Sequence, residues 1–431
     1  MRISCSRMIR GARIRATALG AVLAALIGSF CCSTAPPATA PPQPEVSAGA
    51  DAPNVKEIPV PTAAEASWTW TTVDDQIRNY PRTWDFLRKA MGESGARGIA
   101  VAVCQAKSWL EQPETYLFNL GFADPGEKRP LDRDTVFPAG RLADPVFGYL
   151  VLKLADLKMF DLDQPLVKQL AKPMAEYPEF ADLLGDSLSQ ILTARHVLTQ
   201  WSGLADSRAA RSRPDSAFER AAGGYFGYSS QRLRFLRMVI EEKTGRTLET
   251  LARSVVFDRL SLRHMGFVVG PSFEGRIAGT FEADGGGSPP AVASSFYASA
   301  ADYLHFIMNV NMQGGGFANP YIGLPLHYPQ TVIRSPSILE PPRLSGRLDL
   351  PPAFGWSIGW GVYYIPGAKI AIAGQRTGST ECLAIQFSQF PSGKMTAVTI
   401  FSVGALRAPL AGRVLREIAG DIKPPLAWLG F

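Results

Sequence analysis

Phe137-Pro138-Ala139-Gly140-Arg141-Leu142-Ala143-Asp144-Pro145-Val146 is the stretch on which the reading of this chain turns. From Arg141 to Met159 apolar residues recur at helical spacing, which predicts a helix over this stretch. Arg141 and Asp144 stand three apart, close enough on a helix for their side chains to form an ion pair. An acid in a first turn suits the helix dipole and an arginine does not, so Arg141 calls for a partner: Asp144 or a bound anion. Arginine stays protonated under working conditions and can serve neither as nucleophile nor as base.

Other segments follow in a definite order. Ile99-Ala100-Val101-Ala102-Val103 reads as a strand and Leu117–Phe122 as its hairpin partner. Arg129 to Phe137 leads into the helix, and Asp161-Leu162-Asp163-Gln164-Pro165 makes a turn after it. Then come Leu192-Thr193-Ala194-Arg195-His196-Val197-Leu198-Thr199-Gln200-Trp201-Ser202-Gly203-Leu204, Tyr228-Ser229-Ser230, Leu236–Gly245, Ser299-Ala300-Ala301-Asp302 with Phe306, Gly359-Trp360-Gly361, and Arg376-Thr377-Gly378-Ser379-Thr380 upstream of Pro391.

From about Gly98 to about Ala419 this order resembles the serine β-lactamases and penicillin-binding proteins, in particular the branch of class C β-lactamases and related esterases. The resemblance implies an α+β sandwich: an antiparallel sheet flanked by helices, with an inserted helical lobe and a cleft between the two. It also implies a Ser-x-x-Lys nucleophile motif where this chain has Arg141 and Asp144, and no Ser-x-x-Lys occurs anywhere in the sequence. Tyr228 keeps the family's tyrosine, Ser230 replaces an asparagine, and Arg376 stands for the lysine of Lys-Thr-Gly. An alternative alignment puts Ile372-Ala373-Gly374 on the family's His-x-Gly. The backbone N–H groups of Arg141 and Ser379 fall where the family builds its oxyanion hole. The degenerate catalytic positions are thus Arg141, Asp144, Tyr228 and Ser230. A ligand would meet Arg376, Thr377, Gly378, Ser379, Tyr228 and Arg141, with Arg376 gripping a carboxylate or neutralising Asp144. Gln200, Trp201 and Ser202 read as a helix end.

The first 30 residues carry five arginines and no acid, followed by an apolar run from Ala16 to Phe30, the pattern of an export signal. Cys31 and Cys32 are lipidation candidates, although Phe30 fits a lipoprotein site poorly. Removing the leader's arginines from the formal +6 leaves about +1, which gives no ground for nucleic-acid binding. The domain scheme is a signal over 1–32, a Pro/Ala-rich tether over 33–65 and a β-lactamase-like domain over 66–431. In that domain the sheet draws on about 66–140 and 291–431, and the helical lobe on about 145–290.

Strands are expected at 98–104, 115–121, 357–365, 382–389 and 395–402, with helices over Ser230–Lys243 and Ala405–Ala419. Cys104 and Cys382 read as buried free thiols, on strands that the resemblance places with another strand between them. His196, His264, His305 and His327 have no metal-ligand spacing, so neither metal nor cofactor is expected. The functional expectation is a non-catalytic protein of the periplasm or cell envelope, membrane-anchored if lipidated. Its cleft would take an anionic peptide-like or wall-derived ligand or a protein partner. The alternatives are a serine hydrolase with a relocated nucleophile (Ser229, Ser379 or Thr377) and a structural envelope lipoprotein.

Overall fold

Alternation decides the sheet. In a computed structural model, small residues recur at alternate positions along four long central strands and face inward (Ala100, Ala102 and Cys104, then Ala371 and Ala373, Cys382 and Ala384, and Ala397), with the larger Phe401 and Val403 further along the last strand. The residues between them are large and face outward: Ile99, Val101 and Val103, Ile370 and Ile372, Leu383, Ile385 and Phe387, Val398 and Ile400. Both faces are therefore covered. The structure describes residues 62–421, apart from 63, 109–110, 112, 125–127, 184–185, 205–225, 228, 230, 280–291, 293–294, 313, 328–330, 333–353, 366, 378, 390–391 and 405. The export signal, Cys31, Cys32 and nearly all of the tether lie outside these residues, as do Tyr228, Ser230 and Gly378.

In chain order, β1 (Thr69–Thr71) and β2 (Ile77–Asn79) form a small hairpin, followed by helix α1 (Tyr80–Ser94). The Asn79 side chain caps α1 by accepting from the Arg82 N–H, and Gly95 ends it at φ 82°. Next come β3 (Ala96–Ala106), β4 (Glu114–Asp124), β5 (Arg129–Pro130), β6 (Phe137–Pro138) and α2 (Ala143–Asp156). The helical region continues with α3 (Ala194–Leu198), α4 (Gln231–Thr244) and α5 (Leu248–Ala252). Short strands β7 (Met265–Gly266) and β8 (Tyr297–Ala298) precede α6 (Ala300–Ile307) and α7 (Pro320–His327). The chain then returns to the sheet through β9 (Thr331–Val332), β10 (Phe354–Trp356), β11 (Gly361–Ile365), β12 (Ala368–Arg376), β13 (Thr380–Gln389) and β14 (Met395–Gly404), and α8 (Ala411–Ala419) follows.

The main sheet runs β5-β4-β3-β14-β13-β12-β11-β10-β9, antiparallel throughout. The strands expected near 98–104 and 395–402 are neighbours, with Ile99 opposite Ser402. Helices α1 and α8 cover the outer face. Helix α6 lies on the inner face, where the Thr399 hydroxyl donates to the Ala300 carbonyl at 2.8 Å and the small residues admit close approach. A second sheet, β6-β8-β7, clamps the segment leading into α2.

Two expectations are corrected. The 357–365 strand is two strands broken at 357–360. There Gly359 (φ 79°) lies against the backbone of Asp144 and Pro145, and a Cβ on it would meet the Asp144 carbonyl oxygen at 2.5 Å. Strand β12 carries the residues immediately before Thr377. Helix α8 begins at Ala411 rather than near 405 because Glu381 fixes its start. Cys104 and Cys382 are buried and free, on β3 and β13 with β14 between them, as expected.

Candidate active site

The site is built at the start of α2. Gly140–Leu142 form a single 3-10 turn, Gly140 has φ 50°, and regular helix begins only at Ala143. Pro145 is tolerated because first-turn N–H groups have no partner within the helix. The change of helix type separates Arg141 from Asp144: Arg141 is exposed, while Asp144 is 4% exposed. Among the ion pairs of the described residues none joins them, which corrects the expected pairing. Fully buried Tyr303 on α6 donates its hydroxyl to the Leu142 carbonyl at 2.9 Å. Burial, and then the negative charge of Asp144, push the Tyr303 pKa well above the phenol range and hold it as a proton donor.

The other wall is the end of β12, and here the sequence reading misplaced one residue. Arg376 pairs across the sheet with Glu381, and its Nε lies 3.0 Å from Oε1 of that fully buried carboxylate. Glu381 also accepts from the backbone N–H groups of Leu410 (2.9 Å) and Ala411 (2.9 Å) at the start of α8. Arg376 is thus engaged on the α8 side of the sheet, and its partner is Glu381 rather than Asp144. Gln375, one residue earlier, points to the opposite face. Its Oε1 accepts from the Arg141 N–H at 2.9 Å. A Cβ on Gly140 would lie 2.0 Å from that oxygen. Gln375 is the residue beside Arg141 that motif matching passed over, since the alignments fell on Arg376 and on Ile372–Gly374. Period-two alternation from Ala371 and Ala373 would have found it.

Thr377 and Ser379 close the turn between β12 and β13. The Thr377 hydroxyl lies 3.0 Å from that of Thr380 and 3.4 Å from that of Ser379, and its oxygen accepts the Ser379 N–H at 3.2 Å. Both amides assigned to an oxyanion hole are therefore satisfied internally, Arg141 by Gln375 and Ser379 by Thr377. Ser379 is exposed, and Ser229 is fully buried with its N–H directed at Gln200 Oε1 (3.4 Å). Cys382, opposite Gln375 in the sheet, donates to the Pro138 carbonyl at 3.3 Å, and burial pushes its thiol pKa up, away from the reactive thiolate.

Gln200 (φ 61°) ends α3, consistent with a structural role. His196 caps the same helix reciprocally with Thr193, and His264 lies 3.5 Å from Asp134 and 3.8 Å from Asp302. Among the described residues no cluster of His, Cys, Asp and Glu could hold a metal ion.

The Beta-lactamase family profile matches residues 85–374, and the chain belongs to that family of β-lactamase-like serine hydrolases. Esterase EstB of Burkholderia gladioli is 27% identical over 173 residues, covering 34% of this chain and 42% of the esterase, so the match spans less than half of that relative's length. The fold is shared with a D-alanine carboxypeptidase AmpC from Burkholderia cenocepacia (TM-score 0.58, 15% identity, 80% of this chain and 100% of that one). It is shared as well with a class C β-lactamase from Rhodobacter sphaeroides (0.57, 15%, 80% and 100%) and an octameric penicillin-binding protein homologue from Pyrococcus abyssi (0.59, 14%, 79% and 77%).

Proposed function

We propose that this chain is a non-catalytic, exported member of its family whose cleft binds an anionic peptide-like or wall-derived ligand or a protein partner. The observation that carries the reading is the start of α2. Where a nucleophile and its activating lysine belong stand an exposed arginine and a buried carboxylate. An arginine cannot be acylated through an oxygen, and a carboxylate one turn on supplies no ammonium to lower a hydroxyl's pKa. Export rests on the arginine-rich leader and the apolar run after it. Mass spectrometry of the natural N-terminus should find a chain starting near Cys31 or Cys32 or just beyond; an intact Met1 on a cytoplasmic protein would refute it.

A second reading, a hydrolase with a relocated nucleophile, is favoured by the similarity to an esterase. Ser379 is the candidate, being exposed where Ser229 is not. Turnover of a chromogenic lactam and of short p-nitrophenyl esters separates the two readings. The non-catalytic reading expects rates equal to the buffer background; turnover that disappears in Ser379→Ala would establish the second.

A further inference from the structure

We infer that Gln375 is an autoinhibitory side chain, the cleft's own occupant, which a ligand presenting a carbonyl or carboxylate oxygen to the start of α2 has to displace. The inference deepens the proposed function and rests on it for the cleft being a ligand site. Its own support is geometric. Neither the 3-10 turn nor α2 has a side-chain cap from its preceding residue, so the N–H of Arg141 is met from across the fold by Gln375. The acceptor it meets is an amide carbonyl, in charge and shape the counterpart of the acyl oxygen of a peptide ligand.

The fit is close. Gly140 carries no Cβ where one would collide with Gln375 Oε1 at 2.0 Å, with Cδ at 2.6 Å and with Nε2 at 3.0 Å. The attachment is nevertheless light. Gln375 is only partly buried, and its Oε1 accepts the Arg141 N–H at 2.9 Å. One neutral hydrogen bond shifts an equilibrium by about fivefold, so an incoming anionic oxygen, the stronger acceptor, can replace it. Rotation of one side chain then converts a filled site into an open one without moving the sheet.

The test is backbone-amide NMR on full-length protein labelled with 15N-arginine, with Arg141→Lys assigning the signal. Sodium acetate and N-acetylglycine are the probes. In the parent protein the Arg141 amide should be protected from solvent exchange, shifting only at high probe concentration. In Gln375→Ala, and in Gln375→Met, which keeps the length and loses the acceptor, exchange should be about fivefold faster and the probes should saturate at lower concentration. Gln375→Glu should restore protection. Equal exchange rates in the parent and both acceptor-less variants would overturn the inference, as would equal probe affinities. The readout is independent of acylation, so its failure is distinguishable from a failure of the non-catalytic reading.

Discussion

Gln375 Oε1 and the backbone N–H of Arg141 form a 2.9 Å hydrogen bond between residues 234 apart in sequence. This contact joins the last inward-facing side chain of β12 to the first turn of the α2 segment. If the Arg141 N–H is the amide that would polarise a substrate carbonyl, as proposed, restoring a nucleophile alone would not restore a site, because that amide already bonds Gln375.

Arg141→Ser alone should therefore leave hydrolysis of a chromogenic lactam at background. The new hydroxyl would have Asp144 one turn on in place of a lysine, and an oxyanion forming there would meet Gln375 Oε1. Arg141→Ser with Asp144→Lys restores the motif, and adding Gln375→Ala should raise kcat further, by about a hundredfold, the usual effect of one oxyanion donor. Clear turnover by the single variant would contradict this ordering.

Arg376→Ala should destabilise the fold by about 2–3 kcal/mol, as removal of one partner leaves the fully buried Glu381 with backbone donors alone. Glu381→Gln should cost a similar amount by weakening the start of α8. Chemical denaturation at neutral pH measures both. An Arg376→Ala protein as stable as the parent would show that the pair contributes nothing.

Lys369 on β12 is 9% exposed, and burial lowers its pKa to about 8. The folded state thus binds fewer protons than the unfolded state between about pH 8 and the ordinary lysine value near 10.4. The Lys369 contribution is unfavourable below pH 8 and is relieved as pH rises through that window, by about 1–3 kcal/mol. Lys369→Met should be more stable at pH 7 and should lack this rise relative to the parent. Parallel pH dependences from 7.5 to 10.5 would refute the assignment.

The sheet was legible because its strands carry a strict alternation and its ends are tied to recognisable segments: Ile99 to Val103, and the 395–402 run that pairs with them. Helix α2 was legible from the helical spacing of the apolar residues after Arg141. The partnerships were not. Arg141 and Asp144 have helical spacing in sequence, but the 3-10 turn places one at the surface and the other inside, and no local pattern announces that change of pitch. Arg376 attracted attention as a cation in a familiar motif, yet the face it occupies depends on the register of β12 against β13. Motif letters do not encode that register, and a one-residue difference exchanges Arg376 for Gln375 on the inner face beside Arg141.

The most direct test of the central claim is incubation of the full-length protein with a fluorescent penicillin, followed by intact-protein mass measurement. With an arginine and a buried carboxylate in place of the acylation machinery, the protein's mass should be unchanged and no fluorescence should remain after denaturation. A stoichiometric covalent adduct would contradict the account, and the site of its attachment would name the nucleophile.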